Sequence, residues 1–226
     1  MQHVFVETNW LVECLAPAHH KEPAALELLE RARGGEITLY LPAICLAECQ
    51  RPIRDKFQAK PAADRVRKFL LWAKSNGTIE PGQEETVRRT LVQMEALVKR
   101  DLERLADALK DLSARKGVEV FHIEEEMWVR ITELSFLGLQ LQPFDQAILA
   151  SILVKAEKLQ KQGIVSAAFC EVDSDLQPWD KAGEAKDPLV RLYDQASIWV
   201  YGDFLMQRPE MPQGWPREVE NVNESA

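Results

Sequence analysis

A chain of 226 residues with 46% apolar and 28% charged residues has the make-up of a folded globular protein with room for one sizeable core, which excludes an intrinsically disordered chain. Its net charge of −8 excludes a protein that coats nucleic acid through bulk positive charge, although a local basic patch remains compatible with it. There is no apolar run near the roughly 20 residues of a membrane helix. The first residues do not read as a signal peptide, so a cytoplasmic location is expected.

In chain order, Val4-Phe5-Val6 reads as a short buried strand that stops at Glu7-Thr8-Asn9. Trp10 to Leu15 is helical in character, with Pro17 as a break. A second helix opens at Pro23 with acids early and arginines late, and stops at Gly34-Gly35. Ile37 to Leu41 is a second strand, closed by Pro42. From Ala43 a helix begins that carries Glu48 in its early turns. The stretch from about 61 to 116 is dense in Leu, Ala, Glu, Lys and Arg, which favour helix. Gly77 and Pro81-Gly82 divide it in two, with a stripe of Leu91, Met94, Leu97, Val98, Leu102, Leu105, Ala106 and Leu109 on the second helix.

After Gly117, Val118 to Ile123 reads as a strand or an extended link, and Glu124 to Leu137 as a helix. Pro143-Phe144-Asp145 opens a strongly apolar helix that Gly163 ends. Ile164 to Cys170 is a buried strand running into Glu171-Val172-Asp173-Ser174-Asp175. A short helix around 189–195 and a final strand, Ile198 to Tyr201, follow. This alternation predicts an α/β fold, three-layer α/β/α with a central, mainly parallel sheet. The expected organisation is one domain over 1–208, a helical insertion at about 55–117, and a loose tail over 209–226.

In such a sheet the working groups collect beyond the C-terminal ends of the strands. Glu7 and the pair Asp173 and Asp175 fall there, with Glu48 and Asp145 on helices between. Phosphodiester hydrolysis requires charge neutralisation and an activated water. Mg²⁺ or Mn²⁺ supplies both and takes oxygen ligands, so carboxylates from separate rigid elements suit it. Singly, each acid has an ordinary reading. Glu7 ends a strand, Glu48 sits on a helix face, Asp145 complements a helix dipole, and Asp173 and Asp175 belong to a turn. The four cysteines are expected as free thiols. Cys45 and Cys49 are spaced for a helix face, but no CxxC accompanies them to make a zinc pair.

The order of these motifs resembles the PIN-domain family, which includes the ribonuclease toxins of bacterial toxin–antitoxin pairs. The family's opening strand running into Asp-Thr/Ser-Asn is matched by Val-Phe-Val-Glu7-Thr8-Asn9. Its helical Glu is matched by Leu-Pro-Ala-Ile-Cys-Leu-Ala-Glu48. Its Asp before an Ala-rich helix is matched by Phe144-Asp145-Gln-Ala-Ile-Leu-Ala, and its Thr-x-Asp-x-Asp-Phe-like turn by Glu171-Val172-Asp173-Ser174-Asp175-Leu176.

The match spans about 1–54 and 118–204. It departs from the family in Glu7 for Asp, in the missing Thr and Phe of the fourth motif, and in the insertion. The resemblance implies a metal-dependent endoribonuclease in which Glu7, Glu48, Asp145 and Asp173 hold Mg²⁺ or Mn²⁺, with Asp175 in support and Thr8 and Asn9 orienting Glu7. Water attacks in line on phosphorus and leaves a 5′-phosphate and a 3′-hydroxyl. The competing readings are a catalytically silent PIN-like module that binds RNA or protein, a DNA-directed nuclease, and an unrelated metal-dependent phosphohydrolase.

Seven basic residues lie between Arg51 and Lys68, opposed only by Asp55 and Asp64. They begin three residues after Glu48, so Arg51, Arg54 and Lys56 are candidate contacts to the phosphate backbone. A solvated helix face is the ordinary alternative. Trp10 and Trp72 are candidates for base stacking, with core packing the stronger expectation for both. The Leu91 to Leu109 stripe is expected to bury against the core, to pair in a homodimer, or to seat an antitoxin helix.

Overall fold

The structure, a computed structural model, describes residues 1–207, so the expected tail at 209–226 lies outside the described residues. Five strands alternate with helices: β1 (Gln2–Phe5), α1 (Thr8–Cys14), α2 (Pro23–Gly34), β2 (Ile37–Pro42), α3 (Ile44–Glu48), α4 (Gln50–Lys56), α5 (Ala59–Ser75), α6 (Pro81–Glu103), α7 (Leu105–Ser113), β3 (Val118–Phe121), α8 (Glu125–Ser135), α9 (Pro143–Lys161), β4 (Ala167–Cys170), α10 (Asp187–Gln195) and β5 (Ile198–Tyr201). The strands form one all-parallel sheet in the order β3-β2-β1-β4-β5, the centre of a three-layer α/β/α fold.

Parallel pairing buries a sheet on both faces, and the strand sequences match this. Leu39, Tyr40 and Leu41 in β2 and all four residues of β4 are buried. The helix α9 is buried almost all round, from Ala147 to Leu159, and packs on α8, α3 and β2. That is why its sequence shows an apolar run more than a clean stripe. Gly117 lets the chain enter β3 beneath α2. Its φ is +86°, and a Cβ there would stand 2.2 Å from the Ala32 carbonyl oxygen.

The sheet order has one reversal. The chain runs outward from β1 through β2 to β3, then returns past β1 to lay down β4 and β5. The crevice beyond the C-terminal ends of β1 and β4 is therefore the switch point, where open α/β sheets place their ligands.

Several local expectations are revised. Strand pairing of β4 begins only at Ala167, because Ile164 donates its N–H to the Leu159 carbonyl and closes the end of α9. The insertion is a hairpin of α5 and α6 followed by a separate α7. Its apolar stripe divides accordingly: Leu91 packs with Ala63 and Leu70 in a small satellite core, whereas Leu105, Leu109 and Leu112 join the main core. Leu97 is 54% exposed and belongs to neither. Trp10 is fully buried, its Nε1 donating to the Ala25 carbonyl at 3.1 Å. Trp72 is 56% exposed and lies against Phe69 with ring centroids 5.8 Å apart, contrary to core packing. Among the described residues no helix is long and apolar enough to cross a membrane.

Candidate metal centre

Each of the four expected acids is delivered by a different element. Beyond β1, Val6 donates to the Tyr40 carbonyl, and Glu7 follows in extended conformation as the residue capping α1. Its Oε1 accepts the Asn9 backbone N–H at 2.7 Å, and the residue is 4% exposed. Glu48 is the last residue of the five-residue α3, not an early residue of a longer helix. Pro52 accounts for the break: it has no N–H to offer the Glu48 carbonyl four residues back, and its ring crowds that carbonyl.

The Thr8 hydroxyl donates to Glu48 Oε2. The Thr8 side chain thus braces Glu48, while Asn9 braces Glu7 through its main chain. Asp145 stands half-buried in the first turn of α9. Asp173 is exposed in the loop after β4, where its Oδ1 accepts the Asp175 N–H at 3.0 Å.

The electrostatics show that these groups share one neighbourhood. Burial, opposed by the Asn9 amide, pushes the Glu7 carboxyl up to about 8, and the charges of Glu48, Asp173 and Asp145 push in the same direction. Burial also raises Asp145 to about 6, again reinforced by Glu48, Asp173 and Asp175, against the Gln142 amide. Among the described residues, none of Glu7, Glu48, Asp145, Asp173 and Asp175 is ion-paired to a Lys, Arg or His.

Glu171 is a residue that reading the sequence missed. It follows β4, is 0% exposed, and its Oε1 accepts the Asp173 N–H at 2.6 Å. Burial pushes its carboxyl well up, with Glu7 the next largest influence, and the neighbouring Asn9 side chain favours the ionised form. Its Oε2 is buried with no hydrogen-bond partner among the described residues. The available signal was a Glu at the C-terminal end of an otherwise apolar strand, which the following Asp-x-Asp overshadowed.

Among the described residues no three His, Cys, Asp or Glu side chains close around one point as an ion would hold them. Glu7, Glu171 and Asp145 are instead raised, by burial first, so part of the acidic charge is held off by bound protons. Their donor set is nonetheless that of a hard divalent cation: oxygens only, several anionic, one of them buried and unsatisfied. Mg²⁺ or Mn²⁺ fits this chemistry, whereas the buried thiols of Cys45 and Cys49 are driven further from the thiolate that zinc takes by burial and by Glu48.

The basic stretch is partly neutralised within the chain. Arg51 pairs with Asp55 at 3.3 Å, and Lys56 pairs with Glu13. Arg54 has no carboxylate partner among the described residues. It lines a cleft of about 520 Å³ with Gln58, Lys60, Glu95, Val98 and Leu102, against the helical insertion. No family model matches the chain, and a search of curated proteins returns no match.

Proposed function

We propose that this protein is a metal-dependent phosphodiester hydrolase of PIN type acting on RNA. What supports the reading is that Glu7, Glu48, Asp145 and Asp173 come from separate elements of a parallel α/β sheet, that the charges of Glu48, Asp173 and Asp145 push the Glu7 carboxyl up, and that none of the four has a cationic partner among the described residues. The order of the four sequence motifs is its second support, and it is what favours RNA as substrate.

A bound Mg²⁺ or Mn²⁺ supplies phosphate charge neutralisation and a more acidic water. The chain's part is to hold the acids ready. Thr8 fixes one oxygen of Glu48, and the Asn9 amide fixes one oxygen of Glu7, which leaves the second oxygen of each for a cation. Burial and the neighbouring acids hold a proton on Glu7 to about 8, so a cation bound there would displace that proton. Arg54, six residues after Glu48 and lining a cleft against the insertion, would hold a backbone phosphate beyond the scissile one.

The test is cleavage of labelled RNA and single-stranded DNA with Mn²⁺ or EDTA, by the wild type and by Asp145→Asn. The expected result is RNA cleavage only with Mn²⁺, slowed about 100-fold or more in Asp145→Asn. RNA binding without metal-dependent cleavage would identify a silent binding module instead. Preferential cutting of DNA would move the protein to the DNA-directed class.

A further inference from the structure

We propose that Glu171 is a cation ligand of this centre, its Oε2 completing an oxygen set with Glu7 across the β1/β4 junction. The proposal rests on the metal-site reading given above and extends it to a position where the family resemblance has a hydroxyl.

Three independent features place it there. First, β1 and β4 are adjacent parallel strands paired Val4 to Ala168 and Phe5 to Phe169. Continuing that register by two residues sets Glu7 opposite Glu171, and the period of two along a strand keeps the pair on one side of the sheet.

Second, the two residues are braced alike. Each gives one oxygen to the backbone N–H two residues ahead: Glu7 Oε1 to Asn9 at 2.7 Å, and Glu171 Oε1 to Asp173 at 2.6 Å. This bond fixes each side chain while sparing the second oxygen. The Glu171 backbone is held too, its N–H donating to the Tyr201 carbonyl at 2.8 Å and its carbonyl accepting from Gln177 Nε2 at 2.9 Å.

Third, the spare oxygen of Glu171 is fully buried and unsatisfied. A buried acceptor without a partner is unfavourable, and beside a second carboxylate it is more so. No Lys, Arg or His is paired with either residue among the described residues. A divalent cation between the two would satisfy the orphaned oxygen and relieve the repulsion in one step.

Mn²⁺ alone is the probe. Its binding to the full chain is followed by the loss of the free-ion signal in electron paramagnetic resonance, for the wild type, Glu171→Gln and Glu171→Asp. Glu171→Gln keeps the oxygen that accepts from Asp173 and removes the charge. Glu171→Asp keeps the charge and withdraws it by one methylene. The expected result is Mn²⁺ affinity at least about tenfold weaker in Glu171→Gln, with a smaller loss in Glu171→Asp.

Wild-type affinity in both variants would overturn the role of Glu171 while leaving the metal centre standing. If Glu171→Gln does not fold, Glu171→Asp decides alone. Absence of Mn²⁺ binding in the wild type would overturn both this proposal and the metal-dependent reading beneath it.

Discussion

The helical insertion and the sheet's switch point are both rich in carboxylates, and they treat them in opposite ways. In the insertion each prominent acid is settled within the chain. Glu84 lies between Lys74 at 2.9 Å and Arg88 at 2.8 Å, and Glu95 and Asp64 share Arg67. Hydrogen bonds from Lys74 and Arg88 hold Glu84 below its ordinary value, and Arg67 does the same for Glu95. At the switch point Glu7, Glu171 and Asp145 are raised, by burial first and then by neighbouring acids: Glu48 for Glu7 and Asp145, Glu7 for Glu171, and Asp173 for all three. Buried carboxyls raised by burial and by like charges cost stability, and it is on this cost at the sheet's C-terminal end that the proposed metal site rests.

The largest expected effect tests the sign of that difference. Folded Glu7 keeps its proton to about 8, whereas the ordinary carboxyl releases it near 4.5. Between those values the folded protein holds the extra proton. The contribution of Glu7 to stability is thus full below about pH 4.5 and is lost as pH rises to about 8. Asp145 acts in the same direction between 3.8 and about 6.

In EDTA, the wild type should lose on the order of a few kcal/mol relative to Glu7→Gln between pH 5 and pH 8, measured by urea unfolding. Mn²⁺ at about 100 times its dissociation constant should return roughly 2.7 kcal/mol to the wild type and far less to Glu7→Gln. A Glu7→Gln protein less stable than wild type at pH 8 in EDTA would erase the contrast between the two regions.

The fold was legible because its signals are local and redundant. The short apolar strands, Gly34-Gly35 and Gly117, and the Pro at the start of α2 and α9 each fix one boundary, and their alternation implies the parallel sheet. Glu7, Glu48, Asp145 and Asp173 could be picked out because each sits at an element end. What periodicity could not supply was partnership across the chain. Thr8 serves Glu48, 40 residues away, and β1 pairs with β4 across most of the chain, bringing the segments that lead to Glu7 and Glu171 side by side. The exposure of Trp72 escaped for a related reason: a helical stripe shows which residues share a face, not whether another element covers it.

A smaller effect of opposite sign is expected in the insertion. Glu84→Gln should lower the melting temperature at pH 7, since it removes a group two cations hold, and the loss should shrink in high salt. Glu7→Gln at the same pH in EDTA should raise it. Thermal unfolding of the two variants side by side reads the contrast directly, and equal signs would mean that the insertion and the switch point do not differ as described.

The smallest effect concerns the boundary between the regions, where the basic stretch leaves α4 and meets the hairpin. Three cations there were candidates for phosphate, and the structure separates them by what they already touch. Arg51 faces Asp55 and Lys56 faces Glu13, so a phosphate must compete with a carboxylate for either. Arg54 is in no ion pair among the described residues, and the carboxylates that share its cleft are held elsewhere, Glu95 by Arg67 and Glu103 by Lys99. If each bound phosphate releases condensed counter-ions, Arg54→Ala should flatten the log–log salt dependence of RNA binding by about 0.7 for a single strand, and Arg51→Ala by much less. Fluorescence anisotropy with labelled RNA in EDTA, across a salt series, separates these slopes from cleavage. Equal changes in both variants would show that the Asp55 pairing yields freely to phosphate, and that the whole stretch acts as one diffuse basic face.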